Sequence, residues 1–294
     1  MKKIGIIGLG LIGTSLGLAL KKYNDVIIQG YDIKSEHLHY TLQENIVDKV
    51  LENENIEQMD IIFIAVPVCS IIPVIKKIFP YINYKKTIIT DMGSTKEYLI
   101  KEISRKFPRL KFIGGHPMAG KEKSGPKAAS ADLFKNKSYI LTDDNINIRN
   151  DEIKEIKNLL TSIGCRVNIM NSTAHDRMVA MTSHLPQITA SALIDQLKDN
   201  EEKNPDISEL IGTGFLDLTR IAASSPQMWL DIFSTNKKNI INQINELIAK
   251  LNDFKQNIEE ENIDRLNQVM VETKKKRINL ESNFKKGEKN ETKN

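Results

Sequence analysis

Ile4-Gly5-Ile6-Ile7-Gly8-Leu9-Gly10-Leu11-Ile12-Gly13 decides how the rest of the chain is read. A short β-branched run enters GxGxxG, and residues 14–22 continue with helical spacing. The three glycines play separate roles. Gly8 permits a tight turn, Gly10 lets the backbone approach a pyrophosphate, and Gly13 lets the helix sit close to the strand. The helix start at Leu11 and Ile12 then offers free N–H groups and partial positive charge to phosphates. Alone, the glycine pattern is a weak signal. A second strand ending Gly30-Tyr31-Asp32 strengthens it, because Asp32 lies 19 residues after Gly13. At that spacing a carboxylate accepts bonds from the adenine ribose hydroxyls and repels the extra phosphate of NADP. NAD is the expected cofactor, although Lys34 lies close enough to neutralise a phosphate. Val66 and Pro67 end a later strand at the same sheet edge and are further candidate cofactor contacts.

Outward from this unit, the first half alternates. Residues 3–7, 26–31, 60–66, 87–90, 111–113 and 139–141 are short, β-branched and apolar on both faces, as strands inside a parallel sheet are. Helical spacing with charged outer faces fills 11–22, 35–44, 70–82, 95–107 and 151–163. The alternation predicts a doubly wound α/β domain over residues 1–170. After 165–169 the strand signal stops, and 173–198, 207–223 and everything from 227 read as helices. Ile240, Ile244, Leu247, Leu251, Phe254 and Ile258 recur every three or four residues, and a helix of that length needs a partner along it, in a bundle or a subunit interface. An all-α domain is expected over 171–281. From 282 to 294 the chain is Lys, Glu and Asn with almost nothing apolar, and a disordered tail is expected.

Composition narrows the function classes. The chain has 294 residues, 40% apolar and 27% charged, in the range of a cytosolic globular protein. No apolar run has the length of a membrane span and the start lacks a cleavable signal, so a cytoplasmic protein with no membrane partner is expected. Cys69 and Cys165 lie far apart, outside any CxxC spacing, and read as structural thiols with no metal site. The net charge of +4 gathers in 274–277 and 285–286, without interleaved aromatics to stack bases, so no nucleic-acid partner is expected. No regulatory domain is expected after the helices, where too little chain remains.

Three clusters could carry chemistry. In Thr90-Asp91-Met92-Gly93-Ser94-Thr95-Lys96, Ser94 stands where a helix cap belongs, and Lys96 is a cation at the helix end that disfavours one. That misfit suggests that Lys96 faces an anion. Gly114-Gly115-His116-Pro117-Met118-Ala119-Gly120 places an imidazole on a stiff loop after a strand, suited to a general base or hydrogen-bond acceptor. The helical half carries His175-Asp176-Arg177, Ser183-His184-Leu185-Pro186-Gln187 and, on an apolar helix, Arg220. Arg220 is either a buried ion pair with Asp217, three residues earlier, or a fork for a substrate carboxylate. Trp229, the single tryptophan, reads as core.

Together these clusters resemble the prephenate dehydrogenase family. GLGLIGTSLG, DxGSxK at 91–96, GGHPMAG at 114–120, HD at 175–176, SHLP at 183–186 and LTRIA at 218–222 match in order, over about residues 1–275. The resemblance implies an N-terminal Rossmann domain, a helical dimerisation domain giving a homodimer, and an active site between them. It implies that His116 accepts a hydrogen bond from the ring hydroxyl of prephenate and draws off its proton. Ser94 would bond that hydroxyl or His116 and touch the nicotinamide. Arg220 would bind a substrate carboxylate, and His184 would shape the pocket. Many members have SHLPH where this chain has Gln187. A neutral amide there favours prephenate over arogenate, whose ammonium would prefer a carboxylate. The competing readings are arogenate dehydrogenase, a β-hydroxyacid-type dehydrogenase with a helical catalytic lysine, for which Lys198, Lys203 and Lys237 match poorly, and a non-catalytic NAD-binding sensor.

Overall fold

The structure, a computed structural model, describes residues 1–121, 123–144 and 146–289, the last seven as backbone only. The opening unit forms as expected: β1 (Lys2–Ile7) runs into α1 (Leu11–Tyr23). There follow β2 (Val26–Tyr31), α2 (Ser35–Gln43), β3 (Lys49–Val50), α3 (Asn53–Ile56), β4 (Ile61–Ile64), α4 (Val68–Ile78), β5 (Ile88–Asp91), α5 (Glu97–Lys106) and β6 (Lys111–Ile113). The sheet order is β3-β2-β1-β4-β5-β6, and every pairing in it is parallel. The crossing from β3 back to β4 beside β1 makes the switch point at which such sheets bind ligands. Isoleucines from β1 and β4 are buried on both faces, so helices must cover both. One apolar layer includes α1, and the other includes α4 and α5.

Two expected strand segments, 139–141 and 165–169, lie outside this sheet. The segment 139–141 lies in β8 (Ser138–Thr142), which with β7 (Gly115–Pro117) and β9 (Arg166–Met170) builds a separate three-stranded sheet. The Gly-Gly-His-Pro segment is therefore a strand rather than a loop, antiparallel to β8 with His116 opposite Ile140. Helix α6 (Asn150–Ser162) crosses from β8 to the parallel β9.

From Ser172 the described chain is helical: α7 (Ser172–Val179), α8 (Leu185–Glu201), α9 (Thr213–Thr219), α10 (Pro226–Thr235), α11 (Lys237–Glu259) and α12 (Ile263–Lys289). One π-helical turn, Ala180–His184, joins α7 to α8. Pro186 lacks an N–H and would crowd the carbonyl four residues back, and a widened turn relieves that conflict. The chain forms two compact units, Met1–Ile240 and Ile241–Asn294. Compactness thus breaks at 240, whereas secondary structure changes character at 171. Helices α7 to α10 stay with the first unit through polar ties such as the Asp231 carboxylate accepting from the Cys69 N–H at 3.1 Å. In the second unit apolar side chains stand exposed, Leu251 by 57% and Ile258 by 63%. Helix α12 continues to Lys289 through part of the expected tail, and 290–294 lie outside the described residues. Among the described residues no helix is long and apolar enough to cross a membrane.

Candidate active site

The glycine turn shows what each glycine allows. Gly8 has φ +96°, the left-handed region, and a Cβ there would lie 2.4 Å from the Ala65 carbonyl oxygen. A Cβ on Gly13 would lie 1.9 Å from the Gly8 carbonyl oxygen. At Gly10 a Cβ would meet nothing within 4 Å. The backbone there is open, and no side chain caps the helix at that position. The first N–H groups of α1, from Leu11 to Gly13, have no intrahelical acceptor, and they border that open space. Val66 packs on the turn, its Cγ1 2.9 Å from where a Gly8 Cβ would be, and Pro67 caps α4 beside it. Asp32 accepts hydrogen bonds from the Leu9 N–H at 2.6 Å and the Lys34 N–H at 2.8 Å. The carboxylate thus braces the turn and still has lone pairs for ribose hydroxyls. A cavity of about 620 Å³ opens beside Ile7, Tyr31 and Lys77, with Lys77 Nζ 5.1 Å from the Tyr31 ring centroid. An open backbone, an uncapped helix start and an adjacent apolar cavity fit a dinucleotide.

A second cavity, of about 250 Å³, gathers three of the expected site residues. Ser94 arrives from the turn after β5, His116 from β7, and His184 with Ser183 from the π turn. Trp229 of α10 closes one wall, its ring 5.9 Å from His184 edge-on and its Nε1–H donated to Ser224 Oγ at 2.6 Å. Trp229 lines this cavity instead of filling the core.

The other expected residues lie elsewhere. Lys96 does face an anion, but the anion is Asp91: the two form an ion pair in which Lys96 is 1% exposed. Asp91 also accepts from the Gly93 N–H at 2.8 Å and the Gly115 N–H at 3.1 Å, which locks the Ser94 turn to the His116 strand. Ser94 is not a helix cap. The N–H groups of Lys96 and Glu97 at the start of α5 donate instead to Asp176 of α7, at 2.8 and 3.0 Å. Gln187 is buried in an adjoining groove, where its Oε1 accepts from Ser224 at 3.2 Å. Arg220 begins a 3₁₀ turn after α9, is exposed instead of buried, and is not among the residues lining the second cavity. Among the described residues no cluster could hold a metal ion.

Polar partners surround the imidazoles: the His175-Asp176 pair singled out in the sequence, and Asn236, which was not. His116 Nδ1 lies 2.8 Å from His175 Nε2, and His175 Nδ1 lies 2.7 Å from the Asp176 carboxylate. Asn236 donates to the Asp176 carbonyl at 2.8 Å and faces His184 Nδ1 at 3.2 Å. An amide nitrogen only donates, so Nδ1 of His184 is the acceptor and its Nε2 carries the proton. Burial, reinforced by His175, Lys96 and His184, holds His116 well below the ordinary imidazole pKa. Burial likewise pushes His184 down to about 4, against the opposing pull of Asp176. Both rings are neutral at pH 7. A neutral imidazole on a small cavity, in the same compact unit as the glycine turn, can take the proton of a hydroxyl as hydride leaves the carbon that bears it.

Residues 16–169 match the family model for the nucleotide-binding domain of prephenate dehydrogenase, and 171–272 the model for its dimerization domain. The prephenate dehydrogenase of Lactococcus lactis is 34% identical over 285 residues, 96% of this chain and 78% of that protein. The crystal structure of prephenate dehydrogenase from A. aeolicus in complex with hydroxyphenyl propionate and NAD+ superposes with a TM-score of 0.85 at 31% identity, covering 95% of this chain and 98% of that one. Arogenate dehydrogenase from Synechocystis gives 0.82 at 26% identity, over 94% and 98%. By both of its halves and over nearly its whole length, the chain belongs to the prephenate dehydrogenase family.

Proposed function

We propose that the chain catalyses the oxidative decarboxylation of prephenate to 4-hydroxyphenylpyruvate with NAD as oxidant. The observation that carries this reading is the neutral His116 on a small cavity with Ser94 and His184, in the same compact unit as an open glycine turn. Gly8, Gly10, Gly13, Leu11, Ile12, Val66, Pro67 and Asp32 would hold the cofactor, which when bound supplies the hydride acceptor. His116 Nε2 takes the ring hydroxyl's proton while hydride leaves the carbinol carbon. The C–CO₂ bond then breaks, its electron pair enters the ring, and the proton returns to the phenolate oxygen. Aromatisation drives the sequence, so the protein orients, shuttles one proton and holds two carboxylates. Ser94 bonds the hydroxyl or His116, and His184 offers its Nε2–H. Arg220 is the candidate for a substrate carboxylate, whereas Lys96 serves Asp91.

In this reading residues 1–170 form the nucleotide domain and 171–281 the helical domain, whose exposed apolar side chains suit a homodimer. A cytoplasmic location goes with it. Arogenate is the second reading. Asp195 lines the same groove as the neutral Gln187 and could meet an ammonium. The test is turnover of prephenate and arogenate side by side with NAD, followed at the absorbance of reduced nicotinamide. A strong preference for arogenate would reverse the assignment, and turnover of neither would remove it. Arg220→Ala should raise the substrate KM far more than the cofactor's.

A further inference from the structure

The general base meets its partners on the side away from the cavity. His175 is 1% exposed and sits between two groups whose chemistry differs. On one side the Asp176 carboxylate, whose two oxygens already accept backbone N–H groups, acts as acceptor, so His175 Nδ1 must carry a proton. On the other side stands His116 Nδ1, 2.8 Å from His175 Nε2. One proton must lie between these two nitrogens, and the charge of His175 decides which of them owns it.

Asp176 does not need an imidazolium to balance it. Its two oxygens already accept the Lys96 and Glu97 N–H groups at the positive end of α5, and that helix end stabilises a carboxylate. The charged groups near the pair are accounted for as well: Lys96 is matched to Asp91, and His184 is neutral with Asn236 at its Nδ1. A cation on the buried His175 would add a second positive charge to an interior that already holds the Lys96 ammonium. His175 is therefore neutral, protonated on Nδ1, with an acceptor lone pair on Nε2. His116 must then donate from Nδ1. A neutral His116 protonated on Nδ1 has its lone pair on Nε2, the nitrogen left to act as base.

We propose that His175 and Asp176 are positioning residues that fix the tautomer of His116, so that its Nε2 is unprotonated before substrate arrives. The proposal rests on the reading of His116 as the base. When His116 takes the hydroxyl proton, the new imidazolium keeps its Nδ1–H bond to His175, and the Asp176 carboxylate behind it stabilises the charge. No proton need move along the chain of rings. The site thus resembles a hydrolase triad in logic, with an imidazole inserted between the acid and the base.

Two measurements test this. In the protein labelled with ¹⁵N-histidine, long-range ¹H–¹⁵N correlation at pH 7.5 reports which ring nitrogen of each of the five histidines is protonated, and His116→Asn assigns the signals. The expected result is Nδ1–H for both His116 and His175. Nε2–H on His116, or an averaged mixture, would overturn the proposal. This measurement needs no turnover, so an enzyme inactive on prephenate would sink the functional reading and leave the tautomer result standing. In kinetics, His175→Leu should lower kcat about 100-fold, part of what a general base contributes, with the KM for NAD within two-fold. His175→Gln can place an amide oxygen near the lost Nε2 and should restore kcat to within about five-fold of the parent. A leucine variant as fast as the parent, or a glutamine variant as slow as leucine, would refute the relay.

Discussion

Gly10→Ala separates the fold from the cofactor more cleanly than any other change in the glycine turn. Its backbone, φ −76° and ψ −160°, is open to any residue, and an added Cβ meets nothing within 4 Å. The variant should fold at no cost, or gain a few tenths of a kcal/mol because the unfolded chain loses freedom. The methyl would instead occupy the space bordered by the Leu11 and Ile12 N–H groups, the proposed place of the pyrophosphate. Displacing it from one charge-assisted hydrogen bond costs about 2–3 kcal/mol, which is a fall in NAD affinity of roughly 30- to 150-fold. Gly13→Ala is the contrasting control. Its Cβ would fall 1.9 Å from a carbonyl oxygen, so helix and turn must separate by more than 1 Å, and the fold itself should lose about 1–3 kcal/mol. Calorimetric titration with NAD and thermal denaturation of both variants read these effects. If Gly10→Ala kept its NAD affinity within two-fold while remaining folded, the dinucleotide would not lie over this turn.

Three further outcomes follow from the site. His116→Asn should lower turnover by about 10²- to 10⁴-fold yet bind NAD as the parent does; a parallel loss of NAD binding would mean that the ring is structural. Lys96→Met leaves the Asp91 carboxylate buried without its cation and should cost about 3–5 kcal/mol in urea unfolding, and a loss below 1 kcal/mol would discount the pair. Stability should also fall in acid. Free imidazole titrates near pH 6.5, whereas folded His184 stays neutral down to about 4, so below pH 6.5 the unfolded chain takes up a proton that the folded one refuses. That is about 2 kcal/mol lost for this ring between pH 7 and 5, and His184→Asn should flatten the slope by that amount. Equal slopes in parent and variant would contradict the assignment.

The parts of the fold legible in the sequence are those written in local pattern. Strand, GxGxxG, helix and the acid at Asp32 lie within 29 residues, from Ile4 to Asp32, and form as expected. Strand β7 escapes because it is three residues long and contains Gly115 and Pro117, the residues that usually announce a loop. Ser94 misleads for a different reason. The groups that bond the α5 N–H donors come from Asp176, 80 residues away from Lys96, and no local rule can see so distant a cap. The dipole of α5 correctly demands an anion for Lys96, but it does not distinguish Asp91, five residues back, from a ligand. His175 and Asp176 are visible as a pair in sequence, and their contact with His116 is created by the packing of α7 against β7 and α5. Arg220 shows the limit most plainly, since an arginine among leucines reads as buried until Leu216 and Leu218 are seen facing outward.

The two halves of the chemistry ride on different sheets. The proposed cradle for the nucleotide belongs to the parallel six-stranded sheet and the proposed base, His116, to the small mixed one, and the Asp91 carboxylate fastens them by gripping Gly93 and Gly115. Such an arrangement is modular. A protein engineer could exchange the β7–β8 insert for another bearing a different acid or base and leave the redox chassis untouched, provided that Asp91 and a glycine at position 115 remain as the coupling.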